Sequence, residues 1–352
     1  MGCNLADLTN PKQVSFSDLS SKVIAVDAYN TLYQFLSSIR QADGTPLMDT
    51  KGRPTGHLTG LFYRSIKWLE AGIKPVFVFD GKPPELKAKT LQERKKRKEE
   101  AQEKMQQALD EGDIESAKRY AQATSKLTPE MAQSAKNLLD ALGIAHIQAP
   151  SEGEAEASDL VKRGVAWAVA SQDFDSLLFG TPQLLRNLST TGRRKVPRKN
   201  EYMQIEPELI TLQEVYSANN VNNFQLIWLA ILSGTDFNSG VFGIGPKKAL
   251  KIVSGAKSFD DVIARLPESA RAKKDENNEI IGLESWQKIE EFFLKPPVSG
   301  TTKISHSIPD EKKVAAILCD EYDFSHERVE RTLGAYLKAQ KENGGQTKLG
   351  DW

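Results

Sequence analysis

Two aspartates one residue apart, Asp173 and Asp175, follow an apolar run in the stretch V-A-W-A-V-A-S-Q-D-F-D-S-L-L-F-G at 165–180. Residues 166–170 are too apolar for a half-solvated edge strand and too short for a helix, so they read as a central parallel strand that brings charge to its carboxyl end. In extended chain, residues i and i+2 point the same way, so both carboxylates would aim into one site. Two anions that close repel and raise each other's pKa unless a cation lies between them, and oxygen ligands select a hard divalent metal. An isolated D-x-D reads equally well as a pair of turn aspartates, one of them capping the segment 174–178. The other acids must decide.

The elements that would carry those acids repeat a pattern. Apolar strands at 23–26, 75–79 and 166–170 are each followed within three residues by aspartate: Asp27, Asp80 and Asp173. Ligand sites of parallel sheets lie at the carboxyl ends of their strands. Helices are expected at 28–40, at 57–70, where Leu58, Leu61, Phe62, Ile66 and Leu69 have helical spacing, and at 129–142. A loop should cover 43–54, and a short strand 144–148. The segment A-P-S-E-G-E-A-E-A then opens another helix. Its Ser151 and Glu154 form an S-x-x-E capping box, a complete structural explanation for Glu154, and helical spacing would pair Glu152 with Glu156 instead. Further strands are expected at 183–188 and, more weakly, at 202–205. A helix at 222–232 runs into S-G-T-D-F, placing Asp236 at one more element's end. Then G-V-F-G-I-G-P-K-K-A reads as a hairpin before a helix starting near Pro246, the pattern of a helix-hairpin-helix that grips a DNA backbone through glycine amides, a helix N-terminus and nearby lysines. Residues 267–282 read as a charged loop, and the chain as helical to about 340, with a polar tail after it.

The 352 residues, 39% hydrophobic and 27% charged, suit a globular protein with a real core. No apolar run approaches the ~20 residues of a membrane span, and the N-terminus lacks the regions of a signal peptide. Met1, Gly2 and Cys3 begin like an acylation signal, but no polybasic patch supports one. Two cysteines, Cys3 and Cys319, exclude a disulfide framework and suit a reducing, intracellular setting. The formal net charge is zero, yet its distribution is uneven: Lys82, Lys87, Lys89, Arg94, Lys95, Lys96, Arg97 and Lys98 face only Glu85 and Glu93, and a second basic cluster holds Arg193, Arg194, Lys195, Arg198 and Lys199. Residues 85–126 read as two charged helices broken at Gly112. Lys87, Arg94 and Lys98 would share one face, a basic stripe suited to a phosphate chain beside the acids.

Taken in order, V-D-A at Asp27, F-D-G-K-P-P at Asp80, A-P-S-E-G-E-A, S-Q-D-F-D, L-S-G-T-D at Asp236 and G-I-G-P-K-K-A resemble the flap endonucleases of the structure-specific 5′ nuclease family, most of all archaeal ones. The resemblance spans the whole chain. It implies an α/β fold with a central, mostly parallel mixed sheet flanked by helices, a PIN-like nuclease core. It also implies a single nuclease domain over 1–340, with a helical arch at 82–127 and a helix-hairpin-helix region at 222–254. By resemblance, Asp27, Asp80, Glu152, Glu154, Asp173, Asp175 and Asp236 hold two Mg²⁺ ions, with Mn²⁺ as a substitute, and Glu156 is a bystander. Lys87 and Arg94 would contact the scissile phosphate, Tyr33 would stack a terminal base, and Lys98 would support the DNA. Gly243, Gly245, Lys247 and Lys248 would serve the hairpin, which in this family also holds a monovalent cation, K⁺. The substrate implied is branched DNA with a 5′ flap, cut as an endonuclease and exonuclease in replication and repair by a monomer that is cytoplasmic if archaeal. Gln346, Leu349 and Trp352 resemble a sliding-clamp binding motif, with one aromatic where two are usual. Two rivals fit parts of the sequence. An aspartyl phosphatase also places D-x-D at a strand end, with one aspartate as nucleophile, and a non-catalytic junction-binding module would leave the acids structural.

Overall fold

The computed structural model describes residues 3–41, 44–190, 192–195, 202–276 and 278–346. Its centre is a seven-stranded sheet. In chain order the strands are β1 (Lys12–Gln13), β2 (Val23–Asp27), β3 (Lys74–Phe79), β4 (His146–Gln148), β5 (Ala168–Ala170) and β6 (Gln183–Arg186), then β7 (Gly192–Lys195), β8 (Tyr202–Ile205) and β9 (Glu208–Thr211). The sheet order is β1-β9-β6-β5-β2-β3-β4, while β7 and β8 form a separate antiparallel pair. From β4 to β6 all neighbours are parallel, and β9 and β1 add an antiparallel edge.

The apolar runs are continuous because both faces of the central strands are covered. Ile24, Val26, Phe77, Phe79, Ala168, Ala170 and Leu185 pack into one core, and the alternate residues Ala25, Val78, Val169 and Leu184 into the other. Helices α1 (Ala28–Ser38), α2 (Gly56–Glu70) and the later α5 lie on the first face. Between α2 and α5 the charged stretch forms α3 (Ala88–Asp110) and α4 (Ile114–Ala123), turned at Gly112 with φ +74°. Only Ala101 and Ala108 of α3 are buried, as its composition requires. Then come α5 (Pro129–Ala141), α6 (Gly153–Lys162), α7 (Asp175–Leu178), α8 (Leu212–Asn219), α9 (Asn223–Ser233) and α10 (Pro246–Val253). The helix α6 and the apolar α9 supply the second face.

Two expectations need correction, and two strands were not anticipated. The third central strand is shorter than 166–170, because Val165 and Ala166 donate to Leu160 O and close the end of α6. The strands β1 and β9 had no clear signal: Lys12 and Gln13 are exposed, and one of them is charged. The last helix, His326–Gln346, runs past residue 340, so Gln346 ends a helix, while Leu349 and Trp352 lie outside the described residues, as do Arg198 and Lys199. Among the described residues no helix is long and apolar enough to cross a membrane.

His57, 1% exposed in the first turn of α2, meets Ser134 Oγ through Nε2 at 3.0 Å. Burial pushes its pKa down from 6.5 to about 4. Between those values the unfolded chain takes up a proton that the folded chain refuses, so His57 costs stability as pH falls through this window. The expected loss is up to about 3 kcal/mol. Urea midpoints at pH 7 and pH 4.5 should differ less in a His57→Gln variant than in the wild type.

Candidate active site

The acids come from separate elements that meet at the carboxyl ends of the parallel strands. Asp27 is the last residue of β2, and its Oδ1 accepts from Asn30 N at 3.0 Å, capping α1. Asp80 follows β3, and its Oδ1 accepts from Gly153 N at 2.7 Å, so it sits on the N-terminus of α6. Gly153 permits this contact, since a Cβ there would lie 2.7 Å from the same oxygen. The expected capping box does not form. Glu152 is the N-cap, with no side-chain cap bond, and Glu154 instead accepts from Ser171 Oγ at 2.9 Å. Because Glu152 precedes the first helical residue, it escapes the helical face it would share with Glu156. Glu156 is fully buried and turned elsewhere, accepting from Ser299 N at 2.7 Å and Ser299 Oγ at 2.6 Å.

The D-x-D pair is also mounted differently from expectation. After Ala170 the chain bends, Phe174 is the N-cap of α7 and Asp175 its first residue, so strand alternation does not aim these carboxylates. Asp175 is held by a long-range contact: its Oδ1 accepts from the backbone N of Cys3 at 2.7 Å. Asp236 stands in the turn after α9, beyond Gly234 with φ +96°.

Burial dominates the electrostatics, with like charges adding to it. Desolvation, then Asp80 and Asp173, push Asp27 up to about 8 against its hydrogen bonds from Asn30 and Ser171. Desolvation, then Asp236 and Asp173, push Asp175 to about 7. Glu154 is raised well above its ordinary value by desolvation and by Asp175, Asp27 and Asp173. Asp80 and Glu152 are also raised, chiefly by desolvation, although Gly153 N relieves Asp80 and Lys87 relieves both. These couplings join all seven acids into one cluster.

Two side chains answer that charge. Lys87 Nζ lies 2.5 Å from Glu152 Oε2 and 3.4 Å from Asp236 Oδ2, and Arg94 Nη2 lies 2.5 Å from Asp236 Oδ1. Burial opposes the charge on Lys87, but Glu152, Asp236 and Asp80 outweigh it and raise its pKa. With these ion pairs made, no group of three or more His, Cys, Asp or Glu among the described residues is arranged to hold a metal ion. The donor chemistry nonetheless fits one: hard carboxylate oxygens, mutually repelling, at the desolvated carboxyl ends of the strands.

The chain matches the XPG N-terminal domain over residues 4–101 and the XPG I-region over 143–236. It is 50% identical to flap endonuclease 1 of Staphylothermus marinus, covering 99% of this chain and 98% of that one. To flap endonuclease 1 of Pyrococcus furiosus it is 48% identical over 100% and 99%. The chain belongs to the flap endonuclease 1 family. Among solved structures, flap endonuclease-1 from Methanococcus jannaschii superposes with a TM-score of 0.71 at 39% identity, covering 95% of this chain and 98% of that chain. The protein is therefore a structure-specific flap endonuclease, a metal-dependent DNA hydrolase of replication and repair.

This flap endonuclease supports its acids with residues that sequence reasoning passed over. Ser171 Oγ, 2.9 Å from Glu154 Oε1 and 3.3 Å from Asp27 Oδ2, also accepts from Asp173 N at 3.2 Å. Asn30 Nδ2 donates to Asp173 Oδ2 at 3.1 Å, and Gln34 Nε2 braces Asn30 Oδ1 at 2.5 Å. The only signal for Ser171 was a small polar residue ending an apolar run, and Asn30 sits three residues after Asp27, where a helix start brings it back.

The remaining candidates lie on α1, on α3, in the turn before α10 and at the start of α10. Tyr33 is half-buried on α1 with Lys98 Nζ 5.0 Å above its ring, so α1 and α3 meet there. Gly243 has φ +79°, and its carbonyl accepts from Lys248 Nζ at 2.8 Å. Gly245 is the N-cap of α10, and Lys247 pairs with Asp7 at 3.2 Å. The glycine turn joins α9 to α10.

Proposed function

We propose that this flap endonuclease incises the phosphodiester at the base of a 5′ flap, and trims 5′ ends as an exonuclease, with two Mg²⁺ ions held by Asp27, Asp80, Glu152, Glu154, Asp173, Asp175 and Asp236. Mn²⁺ would substitute. The observation that supports this reading best is the charge balance, a cluster of buried, mutually coupled acids met by Lys87 and Arg94. Bound ions would supply a hydroxide from water, polarise the phosphodiester and stabilise the leaving oxygen. The acids exceed the charge of two divalent ions, so several act through water.

The chain's own groups do the rest. Ser171 and Asn30 fix the directions of Glu154, Asp27 and Asp173 before substrate arrives. Lys87 and Arg94 exchange their carboxylate partners for the scissile phosphate and stabilise the charge that develops on it. Residues 82–127, holding α3 and α4, form an arch through which a single strand threads or is clamped, which requires a free 5′ end. Tyr33 stacks the terminal base, with Lys98 beside it. Residues 222–254 hold the duplex backbone through Gly243, Gly245, Lys247 and Lys248, with Lys248 already supplying positive charge at a carbonyl that K⁺ would otherwise share. Residues 1–340 act as one nuclease domain and a monomer, inside the cell and in the cytoplasm if the source is archaeal. Gln346, Leu349 and Trp352 in the tail dock on a sliding clamp.

The test is an end-labelled 5′ flap incubated with protein in Mg²⁺, in EDTA, and beside an unbranched duplex. Cutting near the junction of the flap alone, abolished by EDTA, is expected. Equal cutting of the unbranched duplex would leave the acid site standing and remove the proposed junction preference. Binding without cutting would favour the junction-binding module.

A further inference from the structure

The hairpin between α9 and α10 sorts its apolar residues in an unusual way. Val241 and Ile244 are buried at 6% and 7% exposure, whereas Phe242 between them is 93% exposed. A phenylalanine ring is a large apolar surface that ordinarily leaves water, and its burial is worth roughly 1.5–3 kcal/mol. The ring contact recorded for it is with a cation, Lys273 Nζ, 5.7 Å from the ring centre.

The mount beneath the ring is rigid. A Cβ on Gly240, which has φ +70°, would lie 2.4 Å from Gly234 N, and one on Gly282 would lie 1.9 Å from Gly240 O. Three stretches of backbone therefore touch directly, with no side chain between them to yield. Asn238 Nδ2 ties the same turn to Ile231 O at 2.7 Å and Gly282 O at 2.6 Å, and Val241 N donates to Leu232 O at 2.9 Å. Asp236 belongs to this unit. Whatever Phe242 touches is thus held at a fixed offset from a carboxylate of the active site.

The surroundings indicate what it touches. Lys247, Lys248 and Lys251 follow on α10, all exposed, and Lys273 stands at the ring. An apolar tip among ammonium groups matches a surface whose rim is anionic and whose interior is apolar, which describes phosphates bordering deoxyribose in a duplex groove. We propose that Phe242 is an apolar contact to the sugar face of the duplex arm, and that it sets the register of incision through its rigid connection to Asp236. This inference rests on the reading that residues 222–254 hold duplex DNA.

The test is duplex binding by anisotropy across a KCl series, with Phe242→Ala and Lys251→Ala in parallel. Losing an apolar contact releases no fewer counterions, so Phe242→Ala should weaken binding about tenfold at every salt concentration, with an unchanged slope of log K against log salt. Lys251→Ala should lower that slope by about 0.9. On a labelled flap, Phe242→Ala should spread incision onto neighbouring phosphodiesters. So exposed a side chain does not support the fold, and an unchanged melting temperature should confirm that. If Lys251→Ala weakens binding and Phe242→Ala does not, or if Phe242→Ala changes the slope, the inference fails alone. If neither variant weakens binding, the duplex-holding role of residues 222–254 fails with it.

Discussion

Replacing Asp175 with alanine is expected to reduce flap incision at least about 10³-fold, a loss of ~4 kcal/mol in transition-state stabilisation, while the flap is still bound. The size follows from where Asp175 sits. It is 6% exposed, fixed by the amide of Cys3, and coupled to both Asp173 and Asp236, so no neighbouring group can take its place. Without its oxygens the proposed divalent-ion site would lose a buried ligand. The proposed duplex contacts lie on other elements, and Ca²⁺-supported binding should change by less than about threefold, within ~0.7 kcal/mol. A second readout separates an electrostatic role from a packing role. In EDTA the folded-state pKa of Asp175, about 7, exceeds its ordinary value of 3.8. The folded form therefore holds a proton that the unfolded form has released, and the associated stability is present at low pH and lost as pH rises through about 7. The melting temperature in EDTA should fall between pH 6 and pH 8, and fall less in Asp175→Asn. Equal pH profiles in the two proteins would contradict the account of a cluster strained by its own charge.

The elements that carry the site were legible where their chemistry was local. The strands β2, β3 and β5 are apolar on both faces, and each gives way to an acid where the sheet ends, so the run and its terminus could be read together. Gly112 divides a charged stretch into two helices in the sequence as in the fold. What the sequence concealed depends on partners far along the chain. The S-x-x-E pattern was a sound local signal for a cap, but Asp80, delivered from β3, occupies the N-terminus of α6 instead. That displacement puts Glu152 outside the helix and reverses the choice between Glu154 and Glu156, a choice that periodicity makes differently if the helix starts one residue earlier. The buried carboxyl group of Glu156 is satisfied by Ser299, a residue 143 positions away. Similarly, Asp173 and Asp175 were expected to aim together by strand alternation, whereas a bend and the start of α7 orient them. The antiparallel edge was hidden because β1 is two exposed residues, with no alternation to detect.

Lys87 offers the second large effect, and it acts in two directions. Lys87→Met keeps the length of the side chain and removes its charge, and should lower the single-turnover incision rate by about 10²–10³, the usual loss of a preorganised electrostatic contact. Without DNA the same change should strengthen divalent-ion binding. In the free protein Lys87 pairs with both Glu152 and Asp236, with only 12% of its side chain exposed, so an ion must compete with an ammonium already in place. Removing that competitor leaves two buried carboxylates with less neutralising charge, which favours a cation from solution. Linkage makes the relation reciprocal: ions bound at the acids release Lys87, together with Arg94 from Asp236, toward the phosphate. Calorimetric titration of the DNA-free protein with Mn²⁺ checks this directly. Tighter binding in Lys87→Met than in the wild type, together with slower incision, is the expected result. Slower incision with unchanged or weaker ion binding would mean that the lysine serves the phosphate alone and that its ion pairs in the free protein do not gate the carboxylates.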